Sequence, residues 1–417
     1  MDNPAPRPNM SAMTTNAQIL IVGGGLNGPL LALALARAGF DSTVIDALPA
    51  PAHRNANFDG RAYALALASQ RMLAALGLWD SLTEHAQPML EIKVSDGRAG
   101  EGPSPFFLHF DHAEIEEGPM GYMVQDRFLR RVLHDAMGAD PRITHLPDQT
   151  VVAQDVTHSG ASVTLANGRI LSGTLIIGAD GRSSGTAARA GIKRQGWGYG
   201  QTALVCAIAH DRPHHGIAHQ FFMPAGPLAI LPLPGNRSSI VWSESTENAA
   251  RIQALNPTDY LDILRPRFGS FLGDITLEGD RFTYPLSLSL AEHLIADRVA
   301  LVGDAAHGVH PIAGQGLNAG LRDVAALAQV LTEAGQRGED IAATQTLARY
   351  QEWRRFDTTT LAMATDGFNR LFSNDNPLLR LGRDLGLGAV NALPGLRRRF
   401  IREAAGLTGD LPDLMRA

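Results

Sequence analysis

Residues 18–46 hold the pattern that narrows the possible folds furthest. Gln18-Ile19-Leu20-Ile21-Val22 is a short apolar run of the buried-strand type, and it passes straight into Gly23-Gly24-Gly25-Leu26-Asn27-Gly28. Leu30 to Ala38 continues with helical character, Gly39 stops it, and Ser42-Thr43-Val44-Ile45 forms a second strand ending on Asp46. Strand, G-x-G-x-x-G turn, helix, strand and terminal acid describe a βαβ unit for a dinucleotide. The turn admits a pyrophosphate, the helix N-terminus offers free N–H groups and a positive dipole end, and the acid accepts from a ribose. Asp46 follows the turn at roughly the 20-residue offset such units use. The same turn alone would suit an empty α/β protein with Asp46 solvated, but the flanking strands favour an occupied one.

A second segment, far along the chain, carries related chemistry. Leu301-Val302-Gly303-Asp304-Ala305-Ala306-His307 is an apolar run delivering one carboxylate to a strand tip, and Gly308-Val309-His310-Pro311-Ile312-Ala313-Gly314-Gln315-Gly316-Leu317-Asn318 follows it. Glycines here let backbone approach a flat ligand, and Leu317 to Leu331 reads as a helix whose N-terminus suits an anionic ring system. Between the two, Thr174-Leu175-Ile176-Ile177 is another buried strand, stopping at Gly178-Ala179-Asp180-Gly181. Residues 197 to 285 change character, with short strands (Gln201 to Ala209, Gln220 to Phe222, Leu228 to Leu233, Ser238 to Ser243) broken by Pro and Gly. The expected architecture is α/β: a discontinuous Rossmann-like nucleotide-binding domain (17–80, 118–187 and 284–345) with an inserted antiparallel-sheet substrate domain (81–117 and 188–283). A helical C-terminal region (346–417) and a disordered tail (1–16) complete it.

Composition removes several function classes. At 417 residues, with 45% hydrophobic and 19% charged residues, the chain exceeds one ordinary core and shows no large-scale disorder. A net charge of −6 gives no electrostatic case for nucleic acid. The single cysteine, Cys206, lies in an apolar run and reads as a buried hydrophobe in a reducing, cytoplasmic setting. No segment approaches the ~20 apolar residues of a membrane span, and the first sixteen residues lack the apolar centre of a secretory signal.

Other candidates compete with plainer readings. Gly181-Arg182-Ser183-Ser184-Gly185 fits the G-x-S-x-G nucleophile elbow, but a Ser183 hydrolase leaves both nucleotide signatures unexplained. His210, His214, His215 and His219 cluster in sequence without the helical spacing of a metal site, so no metal is expected. His307 and His310 flank the glycine segment, and a structural hydrogen bond competes with catalysis for each. Arg61 opens a helix-like segment and would offset phosphate charge in a nucleotide site; as a plain surface arginine it would do nothing. Arg397, Arg398, Arg399 and Arg402 beside Phe400 and Ile401 form a basic amphipathic patch, either a solvated face or a peripheral contact with the inner membrane surface.

The three glycine-acid segments in this order resemble the single-component FAD-dependent aromatic hydroxylases, relatives of p-hydroxybenzoate hydroxylase. Gly303-Asp304-Ala305-Ala306-His307, His310-Pro311, Gly314-Gln315-Gly316, Asn318 and Asp323 look like the ubiquinone-biosynthesis branch. So do Thr365-Asp366-Gly367, Leu371 to Asp375 and Arg402 to Gly406. The resemblance implies that Gly23, Gly25 and Gly28 take the FAD pyrophosphate and Asp46 the adenosine ribose. It further implies cofactor contacts from Arg61, from Gln125 or its neighbour, and from Asp180, which serves FAD and the nicotinamide alike. Asp304 would bind the ribityl chain, and Gly314, Gln315, Gly316, Leu317 and Asn318 would cover the pyrimidine side of the ring. Pro311, with His310 beside it, would flank the reacting edge. The implied reaction uses NAD(P)H and O₂ through a flavin C4a-hydroperoxide to hydroxylate a polyprenylated phenol, with a quinone-biosynthesis complex as the expected partner. Phe221, Phe222 and Leu231, with Pro227, Leu228 and Pro232, are expected either to line the substrate pocket or to be sheet core.

Overall fold

The computed structural model describes residues 18–54, 60–100, 102–309, 314–372 and 390–416. The tail expected at 1–16 lies outside these, as do His310 and Pro311.

Six strands form the central sheet, in the order Ile295–Ala296, Val299–Leu301, Leu175–Gly178, Ile19–Val22, Ser42–Ile45 and Ile143–Leu146. All neighbours are parallel except the edge hairpin Ile295–Ala296 with Val299–Leu301. Ile19–Val22 is buried at every position because both sheet faces are covered. Ile19 and Ile21 point into the larger core, beneath the helices Asn27–Arg37, Asp126–Ala139 and Gln315–Gln336. Leu20 and Val22 point the other way, against a three-stranded meander of Val151–Thr157, Gly160–Leu165 and Ile170–Gly173. Ile19 sits opposite Leu175 and Ser42, and Ile176 opposite Val299, so the distant segments read from sequence become neighbouring strands.

The second sheet has eight strands, running from His307–Gly308 through Ile275–Ala291, Arg194–His210, Arg237–Ser245, Gly226–Leu233, Ile217–Met223 and Glu91–Arg98 to Gly102–Asp111. It is antiparallel apart from one parallel pairing, Ile217–Met223 with Glu91–Arg98. The helices Thr246–Gln253 and Pro257–Phe268 cover one face with a dry core around Trp242 and Tyr260. Ile275–Ala291 runs unbroken across position 284, where a domain boundary was expected, because it stays paired with Arg194–His210 along its length. The C-terminal region holds the helices Thr344–Phe372 and Pro394–Ala404. Arg61 precedes a strand, Ala62–Ala66, and not the helix expected there. Pairing with Gly121–Gln125 overrides the helical preference of its alanines, and the helix starts only at Leu67.

Candidate active site

The first glycine turn is shaped by what surrounds it. Gly23 has φ +116°, and a Cβ there would meet the Ala179 carbonyl; one at Gly28 would meet the Gly23 carbonyl, and one at Gly24 the Asp46 carboxylate. A Cβ at Gly25 would meet no atom of the described residues within 4 Å, and Gly25 faces a cavity of about 1700 Å³. The helix Asn27–Arg37 has no side-chain cap and no acid in its first turn. The same holds for Gln315–Gln336, whose N-cap Gly314 is left-handed at φ +64°. Both N-termini line the one cavity, Gly25 to Asn27 from one helix and Gly314 to Asn318 from the other. Two uncapped positive helix ends in one cavity call for an anion. Asn27 sits at this place with its side-chain oxygen buried and, among the described residues, without a hydrogen-bond partner.

Asp46 ends its strand buried, 4% exposed. Its Oδ1 accepts from the Leu48 amide (3.0 Å), and its Oδ2 bonds the His53 imidazole (2.5 Å), with His145 at 3.9 Å. Burial alone would raise its pKa; the imidazoles of His145 and His53 and the Leu48 amide outweigh that and hold the carboxyl well below its usual range. His53 stacks on His134 at 4.2 Å, and His134 bonds the Gly24 carbonyl at 3.1 Å. Burial, with His53 and His145 nearby, pushes the His134 imidazole down to about 4. Sequence reasoning passed over these histidines because they come from three separate elements.

Arg61 lines the cavity, 3.3 Å from the buried Asp126 carboxylate. Asp126 also receives Nε of Arg130 on both oxygens (2.9 and 2.7 Å) and the Tyr63 hydroxyl (2.9 Å). One carboxylate thus orients two arginines, and Arg130 joins Arg61 in the cavity wall. Gln125 is buried, accepts from Arg127 Nε at 2.9 Å and is not among the residues lining the cavity.

Asp180 is turned onto its own loop. It accepts from the Ser184 hydroxyl (2.5 Å) and from the Thr186 amide and hydroxyl (2.9 Å each). Its neighbours Ala179, Gly181 and Arg182 line the cavity, and Ser183 is exposed. Arg182 Nε lies 3.3 Å from Asp304, which also lines the cavity, while Arg194 grips the backbone carbonyls of Asp304 and Ala305. Behind this loop is a buried charge network. Asp323 accepts from the Gly303 amide (3.0 Å) and Arg354 Nε (2.8 Å), and it bonds His307 Nε2 (2.6 Å). Burial raises the Asp323 pKa, but the charges of His307 and Arg354 outweigh it and the carboxyl stays lowered. His307 therefore has a structural partner, and Arg354 has no motif that could have revealed it. Asn318 uses its whole amide: it accepts from the Ala66 amide (2.9 Å) and Ser69 hydroxyl (2.8 Å) and donates to the carbonyls of Ala64 (2.9 Å) and Gly314 (3.2 Å).

Phe222 and Leu231 line the cavity with Met89, Ile92, Val94, Leu108 and Phe110. Phe221 does not. Strand alternation turns it to the opposite face, into the core around Trp242, and Leu228 goes with it. His210 bonds the Arg212 carbonyl (2.8 Å) and Ser238 hydroxyl (3.0 Å), and His214 the Leu233 carbonyl (2.8 Å); they staple a loop. Among the described residues no group of three or more His, Cys, Asp or Glu side chains could hold a metal.

The uncapped helix ends, the open face of Gly25, the ribose-type acid and the paired arginines fit FAD, which Gly25, Asp46, Arg61, Arg130, Asp304 and the Gly314–Asn318 turn would hold. Comparison with known proteins agrees. A family model described as FAD binding domain matches residues 16–364. Ubiquinone hydroxylase UbiL of Rhodospirillum rubrum is 46% identical over 403 residues, covering 96% of this chain and 92% of its own length. The 3-demethoxyubiquinol 3-hydroxylase of Escherichia coli is 35% identical, covering 94% and 98%. Among solved structures, p-nitrophenol 4-monooxygenase PnpA of Pseudomonas putida superposes with a TM-score of 0.78 at 20% identity, over 95% of this chain and 99% of that one, a likeness of fold. The chain belongs to the FAD-dependent aromatic hydroxylases, in the branch that holds the ubiquinone hydroxylases.

Proposed function

We propose that this protein hydroxylates the phenolic ring of a polyprenylated ubiquinone precursor, with NAD(P)H and O₂ as co-substrates. The observation that carries this reading is one continuous cavity with two chemistries. Its cofactor end is lined by Arg61, Arg130, Arg182, Asp304 and the two glycine turns, and its other end by the apolar face of the eight-stranded sheet. Hydride acceptance from the nicotinamide and activation of O₂ belong to the flavin. The chain's own work is to bind, orient and keep dry. Asp126 holds the two arginines in place, and Asp323 braces the loop that presents Asp304. The wall of Ile92, Val94, Leu108, Phe110, Phe222 and Leu231 excludes water from the ring and accommodates a hydrocarbon tail.

Peripheral membrane contact is part of the proposal. Leu393, Leu396 and Phe400 are exposed beside Arg398 and Arg399, and Phe356 and Met363 are exposed on the helix Thr344–Phe372. Phe356, Arg399 and Phe400 also belong to the cavity wall, so a lipid-borne tail would enter there. No helix among the described residues is long and apolar enough to cross a membrane.

The deciding experiment is NAD(P)H oxidation by the FAD-loaded protein with and without a short-chain prenylated phenol, with mass spectrometry of the product. Substrate-stimulated oxidation and a product heavier by one oxygen are expected. An FAD-binding protein that shows neither would be a scaffold, and the reading would fall. A product formed only from phenols without a prenyl chain would point to another hydrophobic substrate.

A further inference from the structure

The cavity-facing side of the eight-stranded sheet is built in rows that cross the strands. One row is given residue by residue by the pairing: Leu108 opposite Val94, Val94 opposite Gln220, Gln220 opposite Ala229, Ala229 opposite Val241, and Val241 opposite Val205. All six line the cavity. Five are aliphatic and one is an amide. Along its own strand Gln220 stands between Ala218 and Phe222, which face the same cavity. Among the described residues its side chain has no hydrogen-bond partner.

A primary amide in a row of aliphatic side chains adds nothing to packing that leucine would not add. Its N–H and C=O groups need partners once water is displaced from the cavity. No described residue of the sheet or beside it supplies them. A prenyl tail is pure hydrocarbon and cannot do so either, which leaves the oxygen substituents of the ring. We propose that Gln220 is a specificity-determining residue that hydrogen-bonds a hydroxyl or methoxy oxygen of the substrate ring and so sets how the ring lies. The amide can donate to an ether oxygen and accept from a phenolic hydroxyl, so it reads the oxygen pattern of the ring and not its bulk. This rests on the hydroxylase reading above, and it assigns the ring to a place that the notion of an apolar wall leaves open.

The test uses the FAD-loaded protein and Gln220→Leu, titrated with a geranylated methoxyphenol while the visible flavin spectrum is followed. The same titration with geranylbenzene, which has no ring oxygen, isolates the amide–oxygen contact from packing. Gln220→Leu should bind the methoxyphenol about ten-fold more weakly and release more hydrogen peroxide per NAD(P)H consumed. Geranylbenzene, which offers the amide no partner, should bind Gln220→Leu at least as tightly as the wild type. FAD content and unfolding midpoint, expected unchanged, guard against a folding defect. Equal affinity of both proteins for the methoxyphenol would overturn the assignment while leaving the hydroxylase reading intact. A wild-type protein that binds neither probe would remove that reading, and the assignment with it.

Discussion

Gly25 and Gly28 look equivalent in a motif, yet their surroundings give them different jobs. Gly28 is required by the protein itself, because a Cβ would strike the Gly23 carbonyl within the turn. At Gly25 a Cβ would meet no described atom and would stand in the cavity, so its absence matters to whatever that cavity takes up. Gly25→Val should therefore fold with a near-normal unfolding midpoint but purify without yellow colour. Gly28→Ala should lose both colour and stability, by about 1–3 kcal/mol for a forced backbone shift. Flavin absorbance per protein and a denaturant melt of each variant check this. The residue scale also shows where motif reading stops. Asp46 was legible from its strand and offset, whereas the His53, His134 and His145 nest around it was not, because stacking between elements leaves no spacing in the chain.

At the level of elements, the loop carrying Asp304 owes its shape to a helix that does not touch it in sequence. Asp323 on Gln315–Gln336 receives the loop amide of Gly303 and the guanidinium of Arg354 from Thr344–Phe372, with His307 closing the set. Removing the carboxylate leaves the buried Arg354 with Asp357 as its remaining partner (2.7 Å) and unpairs the Gly303 amide and His307, so Asp323→Ala should cost about 3 kcal/mol. Urea unfolding should show this directly; a loss below about 1 kcal/mol would mean the network is not a brace. Apolar runs and helical periodicity made the strands Ile19–Val22, Ser42–Ile45 and Leu175–Gly178 and the helix after Gly314 readable in advance, whereas the parallel strand Ile143–Leu146 was not read. Strand Ala62–Ala66 escaped because its alanines carry helical preference, and only its partner Gly121–Gln125 decides otherwise. Phe221 was misplaced against Phe222 because an apolar pair within a strand does not say which member faces which side.

For the molecule as a whole, the basic patch is half spent. Arg397 is bound on both oxygens of Glu114 (2.8 and 3.0 Å), and Arg402 pairs with Glu117, so these two tie the helix Pro394–Ala404 to the body. Arg398 and Arg399 are exposed, and on the proposed membrane contact each would contribute about 1 kcal/mol. Arg398→Ala with Arg399→Ala should reduce flotation with anionic liposomes roughly ten-fold or more, and Phe400→Ser should reduce it independently of salt. Equal flotation of all forms would remove the membrane from the account. The pattern of charges alone could not separate the tethered arginines from the two that have no ion-pair partner among the described residues.

The central sheet interleaves early and late chain: Ile19–Val22 lies beside Leu175–Gly178, which lies beside Val299–Leu301, and the turn at Gly314 comes later still. The first glycine turn emerges from the ribosome long before its counterpart exists. Until the last of these segments is synthesised, nascent chain can offer the flavin only half a grip. If both turns hold the cofactor, colour is expected to appear late in biogenesis, only after translation has passed the second turn.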